Sequence, residues 1–150
     1  MEHVRLRRLL NEPIASPRWP TDVRLMTFTP DHAAAVHALL ENSYTDGGGS
    51  VAAFSQWWGN LSADGEYDPA LCFTAFSSGH LIGVAQCWTS GYVKDLAVHA
   101  SWRRRGVATA LLLHAFGAFR ERGAERVDLK VKANNSGAAA LYRLLGMISV

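Results

Sequence analysis

The chain has 150 residues, of which 49% are hydrophobic and 19% are charged, and its formal net charge is +2. This length suits one domain with a sizeable buried core, and the small net charge argues against a nucleic-acid partner. No apolar run approaches the roughly eighteen residues of a membrane span, so we expect a soluble, cytoplasmic protein with no membrane partner. Cys72 and Cys87 lack metal-site spacing, and we expect buried free thiols and no metal.

Residues 1–21 form an N-terminal extension that precedes the first regular hydrophobic pattern. The extension is basic, and it has only a short apolar stretch before Pro13 and no small-residue cleavage site. An export signal is therefore not indicated. We expect a frayed or surface-packed segment, with a partner-binding arm as the alternative, followed by one folded domain at residues 22–150.

Regular elements begin at Asp22–Phe28, where apolar and polar residues alternate as in a half-buried strand. Thr29 and Pro30 then provide an N-cap and a first helical residue for a helix that ends before Gly47–Gly49. Ser50 is expected to cap a second helix. The apolar residues of this second helix recur at helical spacing, and they are Phe54, Trp57, Trp58 and Leu61.

Two apolar strands follow at residues 70–76 and 80–88. Ser77–Gly79 between them has the composition of a hairpin turn, so this region is expected to be antiparallel sheet. A further strand is predicted at residues 92–98, whose sequence is YVKDLAV, and it leads into a loop that contains consecutive arginines.

A long helix is predicted at Val107–Arg122, because its apolar residues recur at helical spacing and Gly123 fits the position after its end. A strand follows at residues 126–131. It must return beside the strand at residues 92–98, since strand, helix and strand over this length form a right-handed crossover.

The last predicted helix starts near Asn134 or Asn135, buries one apolar face and closes at Gly146. No internal repeat or interdomain linker interrupts the pattern. We therefore predict one α/β (α+β) domain, in which a single mixed, mostly antiparallel sheet is flanked by helices.

The arginines Arg103–Arg105 and Gly106 stand where the long helix needs an N-cap. An ordinary N-cap is Ser, Thr, Asp or Asn, whose side-chain oxygen accepts hydrogen bonds from free backbone N–H groups. A phosphate is the ligand best suited to a helix start that lacks such an acceptor. A solvated basic turn is the alternative, and the absence of GxxxxGK[ST] and GxGxxG motifs disfavours an NTPase or a dehydrogenase.

The arginine loop and the last helix together resemble the GNAT superfamily of acyl-CoA-dependent N-acetyltransferases. The pyrophosphate loop of that family reads [RQ]xxGx[GA], which Arg103, Gly106 and Ala108 fit as RRRGVA. The residues that match a second signature, as NSGAAALYRLLGM, are Asn135, Ala138, Leu141, Tyr142 and Gly146. The resemblance covers Asp22 to the C-terminus and implies a GNAT-like fold.

The resemblance implies acetyl-CoA as the co-substrate. Its pyrophosphate is expected on the N–H groups of Arg104, Arg105, Gly106, Val107, Ala108 and Thr109. Its pantetheine arm is expected to pair like an added strand with Leu96, Ala97 and Val98, where the backbone splays from the following strand. The resemblance also assigns Arg103, Asn135 and Ala138 to this cofactor site.

Direct acetyl transfer needs a neutral amine, a site for the developing oxyanion and a proton for the departing thiolate. The resemblance implies Tyr142 as the general acid, whereas periodicity alone would make it a core residue. Backbone N–H groups near Val98 can polarise the thioester carbonyl. Asp95, on the strand before the loop, is a candidate base, and a salt-bridged or solvated carboxylate is the alternative. Further candidates for the base are Glu41, Glu66 and His99.

The expected acceptor is a primary amine of a small molecule or peptide, and the sequence does not choose between them. An acceptor pocket is one interpretation of the aromatic residues in the first half of the chain, and a core role is the other. The pocket candidates are Tyr44, the Gly47–Gly49 loop, Trp57, Trp58 and Tyr67. Acidic residues that would attract a cationic acceptor are Asp46, Asp64, Glu66 and Asp68.

The C-terminal sequence departs from the family pattern. The chain ends at Met147–Val150, where family members usually continue with one or two more strands. The sheet edge beside residues 126–131 would then be exposed, so we expect the N-terminal extension or a partner subunit of a homodimer to cover it. The short C-terminus is also compatible with a weak enzyme. A non-catalytic acyl-CoA-binding module with the same fold is the alternative function.

Overall fold

The computed structural model describes residues 2–44 and 50–150. The strands in this part of the chain are β1 (His3–Leu9), β2 (Arg24–Thr27), β3 (Cys72–Ser77), β4 (His80–Trp88), β5 (Tyr92–Val98), β6 (Arg126–Lys132) and β7 (Ile148–Ser149). The α-helices are α1 (Ala33–Tyr44), α2 (Phe54–Ala63), α3 (Val107–Glu121) and α4 (Ser136–Leu144). The strands form one sheet in the order β2-β3-β4-β5-β6-β1-β7.

The sheet consists of two antiparallel blocks joined by one parallel contact. The first block contains β2, β3, β4 and β5, and the second block contains β6, β1 and β7. Every pairing within a block is antiparallel, whereas β5 and β6 pair in parallel, with Tyr92 opposite Asp128. The predicted mixed, mostly antiparallel sheet and the return of β6 beside β5 are thus confirmed.

Strand β1 lies between β6 and β7, far from its neighbours in sequence. Its register with β6 pairs His3 with Lys132, and the Leu6 side chain is fully buried in the core beneath α3. The expectation of a frayed or surface-packed extension is therefore wrong for residues 3–9, because Val4 and Leu6 alternate with polar residues as a half-buried strand requires. The expectation that the extension covers the sheet edge beside β6 is confirmed.

The C-terminal residues form β7, a short strand on the outer side of β1. Leu6 pairs with Ser149 and Arg7 pairs with Ile148. The sequence pattern predicted no strand there. Because β7 is so short, it presents little unpaired backbone to which a further chain could add a strand.

Apolar side chains pack on both faces of the first block. Helix α3 covers one face through residues such as Leu111 and Phe116, which are fully buried. Helices α1 and α2 cover the other face, where Val36 lies in the second cluster of buried residues. Helix α3 approaches β4 closely at Gly83, where an added Cβ would lie 2.9 Å from Val107 Cγ1. Glycine at this position therefore allows the start of α3 to lie directly against the sheet.

Three smaller predictions have different outcomes. Helix α2 follows Ala53, with no side-chain cap, so the cap expected at Ser50 is wrong because the helix begins too far beyond it. Cys72 and Cys87 are buried free thiols, as predicted, and burial raises the pKa of Cys72 to about 12. Within the described residues, none of the helices combines the length and the apolar composition that crossing a membrane requires.

Candidate active site

The two blocks separate immediately after their parallel contact, and we call the gap between β5 and β6 the seam. Next to β5, His99 N donates to Ile82 O at 2.8 Å. Hydrogen-bonded pairs alternate along an antiparallel ladder, so the main-chain groups of Leu96 and Val98 point away from β4 and into the seam. An extended ligand in the seam can pair with these groups as an added strand does.

A β-bulge in β5 turns Asp95 toward α1. Val93 pairs with Cys87 and Asp95 pairs with Gln86, so Lys94 is the extra residue on β5. Val93 packs in the core beneath α3. In a regular strand without the bulge, Val93 and Asp95 would share a face, and Asp95 would point into that same apolar core. The bulge instead places the Asp95 carboxylate on the face that α1 covers.

Asp95 is 6% exposed and is held by two donors. The phenol of Tyr44, the last residue of α1, donates a hydrogen bond to Asp95 Oδ1 at 2.6 Å. Lys94 Nζ donates to Asp95 Oδ2 at 3.0 Å. Burial, together with the neighbouring carboxylate, raises the pKa of Tyr44, so its phenol stays protonated at neutral pH and remains a donor.

Asp95 and Tyr142 line the same cavity, which has a volume of about 540 Å³. Tyr142 lies on α4, and burial raises the pKa of its phenol. Asn135 also lines the cavity and caps α4, since its Oδ1 accepts a hydrogen bond from Ala138 N at 3.2 Å. The other lining residues are His3, Ser43, Tyr44, Tyr92, Val93, Lys94, Leu96, Leu129, Lys130, Val131 and Lys132.

The start of α3 presents backbone N–H groups beyond the end of β5. Gly106 adopts a φ of +88°, a left-handed conformation that favours glycine, and no side chain caps the helix. The first helical hydrogen bond runs from Ala110 N to Gly106 O at 3.0 Å, so the N–H groups of Val107, Ala108 and Thr109 have no partner within α3. The first turn of α3 carries no acidic residue and the space beside Gly106 is open, which together suit a phosphate.

The arginines before α3 keep positive charge near these N–H groups. Arg103 Nε donates to Val98 O at 3.3 Å and ties the loop to the end of β5. The guanidinium of Arg105 stacks on Trp102, 3.9 Å from the ring centroid. Arg104 is exposed and adopts a left-handed φ of +60°. The residues at this junction therefore fit the diphosphate of coenzyme A.

Among the other predicted cofactor residues, some side chains do not face the seam. Leu96 lines the cavity, whereas the Ala97 side chain lies in the core beneath α1 and α2. Ala138 and Val98 pack against the core beneath α3. Val98 can therefore contact a ligand in the seam through its main chain, whereas the main-chain groups of Ala97 point toward β4.

The alternative candidates for the base have other partners. Glu41 Oε1 lies 3.3 Å from His37 Nδ1. Glu66 Oε1 accepts a hydrogen bond from Ser90 N at 3.0 Å, and His99 Nδ1 accepts one from Ser101 N at 3.1 Å. Among the described residues that line the cavity with Tyr142, the base candidate is Asp95.

The predicted aromatic acceptor residues do not form one pocket. Tyr44 lines the cavity at the seam. Trp57 is 6% exposed and lies in the core with α1, which confirms the core interpretation for this residue. Tyr67 packs edge-on against Trp58, with 6.0 Å between ring centroids. The Gly47–Gly49 loop lies outside the described residues.

The predicted acidic residues that the structure describes also lie outside the lining of the cavity at the seam. Asp68 Oδ2 pairs with Arg122 Nη2 at 3.0 Å, and Asp64 Oδ1 accepts a hydrogen bond from Glu66 N at 2.8 Å. Asp46 lies outside the described residues. Within the part of the chain that the structure describes, the charged side chains that line this cavity include Lys94, Asp95, Lys130 and Lys132. Sequence reasoning missed the three lysines, because periodicity shows only that such residues face away from the core.

Asp128 fastens β1 to β6 where the seam closes. Its side chain is 3% exposed, and its carboxylate accepts hydrogen bonds from Arg5 Nε and Arg7 Nε, each at 2.9 Å. Burial alone would raise the pKa of Asp128, but the hydrogen bonds from Arg7 and Arg5 outweigh burial and lower it. This cluster fixes the register of β1 and so brings His3 to the cavity.

The sequence profile of the acetyltransferase (GNAT) family matches residues 33–147, which include α1, the seam and α4. The chain belongs to the GNAT acetyltransferase family. The resemblance drawn from Arg103, Gly106 and Tyr142 is thereby confirmed at the level of the family. The mixed sheet with flanking helices is likewise the fold of solved GNAT structures.

Relatives of this GNAT chain have names that refer to different acetyltransferases. An N-alpha-acetyltransferase MAK3 from Arabidopsis thaliana is 39% identical over 87 residues, covering 53% of this chain and 46% of that protein. A mycothiol acetyltransferase from Thermobispora bispora is 30% identical over 155 residues, covering 95% of this chain and 52% of that protein. A GCN5-related N-acetyltransferase from Sphaerobacter thermophilus has a TM-score of 0.84 at 29% identity, covering 99% of this chain and 48% of that chain. This chain thus spans about half the length of these relatives.

Proposed function

We propose that this GNAT chain transfers an acetyl group directly from acetyl-CoA to a primary amine of a small molecule or peptide. The observation that carries the proposal is the seam, where a buried carboxylate and a half-buried phenol line one cavity beside an unpaired strand edge. Two curated relatives support this range of acceptors, because one is named an N-alpha-acetyltransferase and the other a mycothiol acetyltransferase.

Acetyl-CoA, when bound, supplies a thioester as the activated acetyl group. The N–H groups of Val107, Ala108 and Thr109 would hold its diphosphate beside the open space at Gly106. The edge of β5 would pair with its pantetheine arm. The Val98 N–H points into the seam, where a fixed backbone donor can stabilise negative charge that develops on the carbonyl oxygen.

Two side chains move protons in this proposal. Asp95 accepts a proton from the ammonium form of the acceptor, directly or through one water molecule, and so produces the nucleophilic amine. Tyr142 donates a proton to the departing sulfur, since burial keeps its phenol protonated at neutral pH. The ion pair with Lys94 and the hydrogen bond from Tyr44 hold the Asp95 carboxylate in place.

Calorimetric titration with acetyl-CoA tests the phosphate site. Gly106→Glu and Gly106→Ala both place a side chain on a left-handed backbone, but only glutamate adds negative charge. We expect Gly106→Glu to weaken binding by about 100-fold and Gly106→Ala by less than about tenfold, since the helix start favours anions. Equal affinity of both variants and the wild type would contradict the site.

Release of free CoA thiol with a panel of amines tests the chemistry. Removal of a general acid typically costs about 100-fold in kcat, so we expect Tyr142→Phe to lose that much while its affinity for acetyl-CoA is unchanged. Tight binding of acetyl-CoA without thiol release for any amine would instead identify a non-catalytic acyl-CoA-binding module.

A further inference from the structure

The two walls of the cavity at the seam carry different charges. The β5 wall carries Asp95, which is paired with Lys94 at 3.0 Å. The opposite wall carries His3, Lys130 and Lys132, and we call these three residues the basic wall. Among the described residues, three lysines and one aspartate line the cavity, so these four side chains together carry a net positive charge.

The basic wall lies on the same face of the sheet as Asp95. Leu129 and Val131 on β6 are buried in the core beneath α3. Side chains alternate along a strand, so Lys130 and Lys132 face the opposite side, the one toward which the bulge turns Asp95. Helix α3 and its free N–H groups belong to the other face. The basic wall is therefore distinct from the proposed diphosphate site.

The pairing of β1 with β6 places like charges opposite each other. Arg5 is opposite Lys130. Like charges directly opposite in an antiparallel pair destabilise a sheet. The carboxylate on this face of β1 and β6 is Asp128, and two arginines already pair with it. An anion bound at the basic wall would relieve the repulsion.

We infer that the acceptor is an anionic amine, which has a carboxylate a few bonds from its primary amino group. This inference rests on the proposed acetyltransferase function and names its substrate class. The amino group lies at Asp95 and the carboxylate lies against the basic wall, as for a peptide with Asp or Glu after its first residue. Since the carboxylate contact is the same in the ground state and the transition state, it acts mainly on KM.

Peptides that differ only at positions two and three test the inference through steady-state release of CoA thiol. The two positions carry Asp-Asp, Asn-Asn or Lys-Lys. At low salt, we expect kcat/KM to be about tenfold higher for the acidic than for the neutral peptide, and we expect about 0.5 M NaCl to shrink the difference by screening. Aspartic acid α-amide and asparagine α-amide, which differ only in the side-chain carboxylate, form a second arm. A preference for the acid in either arm supports the inference while identifying its source.

A charge reversal in the basic wall provides the sharper test. We expect Lys130→Glu to lower kcat/KM for the acidic peptide by about tenfold and to raise it for the basic peptide. Arg126→Glu is the matched control, because Arg126 is exposed on the same face of β6 but outside the cavity lining. Equal kcat/KM for the acidic and neutral compounds in both arms, or equal effects of the two variants, overturns the inference.

Fluorescence anisotropy of labelled peptides separates this inference from the proposed function. If no amine is acetylated, the proposed function fails, and tighter binding of the acidic peptide that Lys130→Glu weakens still supports the anionic ligand. Equal binding of the acidic and neutral peptides overturns the inference when the two α-amides also compete equally. The inference is also overturned if single-stranded RNA binds as tightly as the acidic peptide and if Lys130→Glu and Arg126→Glu weaken RNA binding equally. The surface would then recognise polyanions in general.

Discussion

The two blocks of the sheet differ in how their faces are covered. The first block has α1 and α2 on one face and α3 on the other, and β4 is buried along almost all of its length. The second block buries Leu6, Leu129 and Val131 on one face. Its other face carries cationic side chains, among them the exposed Arg5 and Lys130.

We propose that this difference corresponds to a division of tasks in acetyl transfer. A carboxylate that must remain oriented needs rigid surroundings, and Asp95 obtains them from α1 and the bulge in β5. A wall that meets an acceptor must be accessible, and the open face of the second block provides it. The seam lies where the two blocks meet, and the cluster around Asp128 closes it.

The contrast between the two blocks would fail most clearly if β1 contributed little to the stability of the second block. Leu6 is 0% exposed, so we expect Leu6→Ala to lower the free energy of unfolding by about 3 kcal/mol through lost burial and a cavity. Leu9 on the same strand is 44% exposed, and Leu9→Ala should change the free energy by less than about 0.5 kcal/mol. Urea unfolding measures both variants. Similar small changes would show that the second block does not depend on β1.

The proposed role of the first block rests on Asp95. We expect Asp95→Asn to lower kcat/KM by about 100-fold, or about 2.7 kcal/mol, because the amide cannot accept the proton. Its fold should persist, since asparagine can still accept a hydrogen bond from Tyr44. Asp68→Asn, which alters a carboxylate outside the cavity, should keep its rate within about twofold. Full activity of Asp95→Asn would move the base to another group.

The pH dependence of the free energy of unfolding tests whether the ion pairs of Asp128 hold β1 and β6 together where the seam closes. The pKa of Asp128 is lowered in the folded chain, so its contribution is present above the ordinary carboxyl pKa and is lost as pH falls through the lower folded value. We expect Asp128→Asn to cost about 2 kcal/mol at neutral pH, and the difference from wild type to shrink below about pH 4. Urea unfolding at several pH values measures it. A difference that is the same at every pH would contradict the ion-pair account.

The smallest expected effect concerns the contact between α1 and β5. Tyr44→Phe removes one donor to Asp95 but leaves Lys94 in place, so we expect kcat to fall about fivefold. Tyr67→Phe, outside the cavity lining, should leave the rate unchanged. Thiol-release kinetics compares the two variants, and equal rates would show that the phenol of Tyr44 does not orient the carboxylate.

Local patterns predicted much of the fold. Strand β5 and the start of α3 at Val107 have the predicted bounds, because strand alternation and helical periodicity act over a few residues. The alternation of Val4 and Leu6 with polar residues was an equally local signal for β1. It could not reveal the partner strand, since Arg7 and Asp128 are 121 residues apart in sequence.

The site was less accessible to sequence reasoning than the fold. The position of Asp95 on its strand suggests a base, and the family resemblance suggests that Tyr142 is the general acid. Both roles stay predictions. The bulge at Lys94 depends on register with β4, which no pattern in β5 alone determines. The hydrogen bond from Tyr44 depends on where α1 ends relative to the sheet, so it follows from tertiary packing.

The distant pairing of β1 also has a consequence for how the chain folds. The hairpin of β3 and β4 can form early, because its strands are adjacent in sequence, whereas β1 must close a loop of more than a hundred residues to reach β6. Until that loop closes, β6 presents a bare edge to other unfolded molecules. Refolding yield should therefore depend on protein concentration more strongly than the stability of the finished sheet suggests.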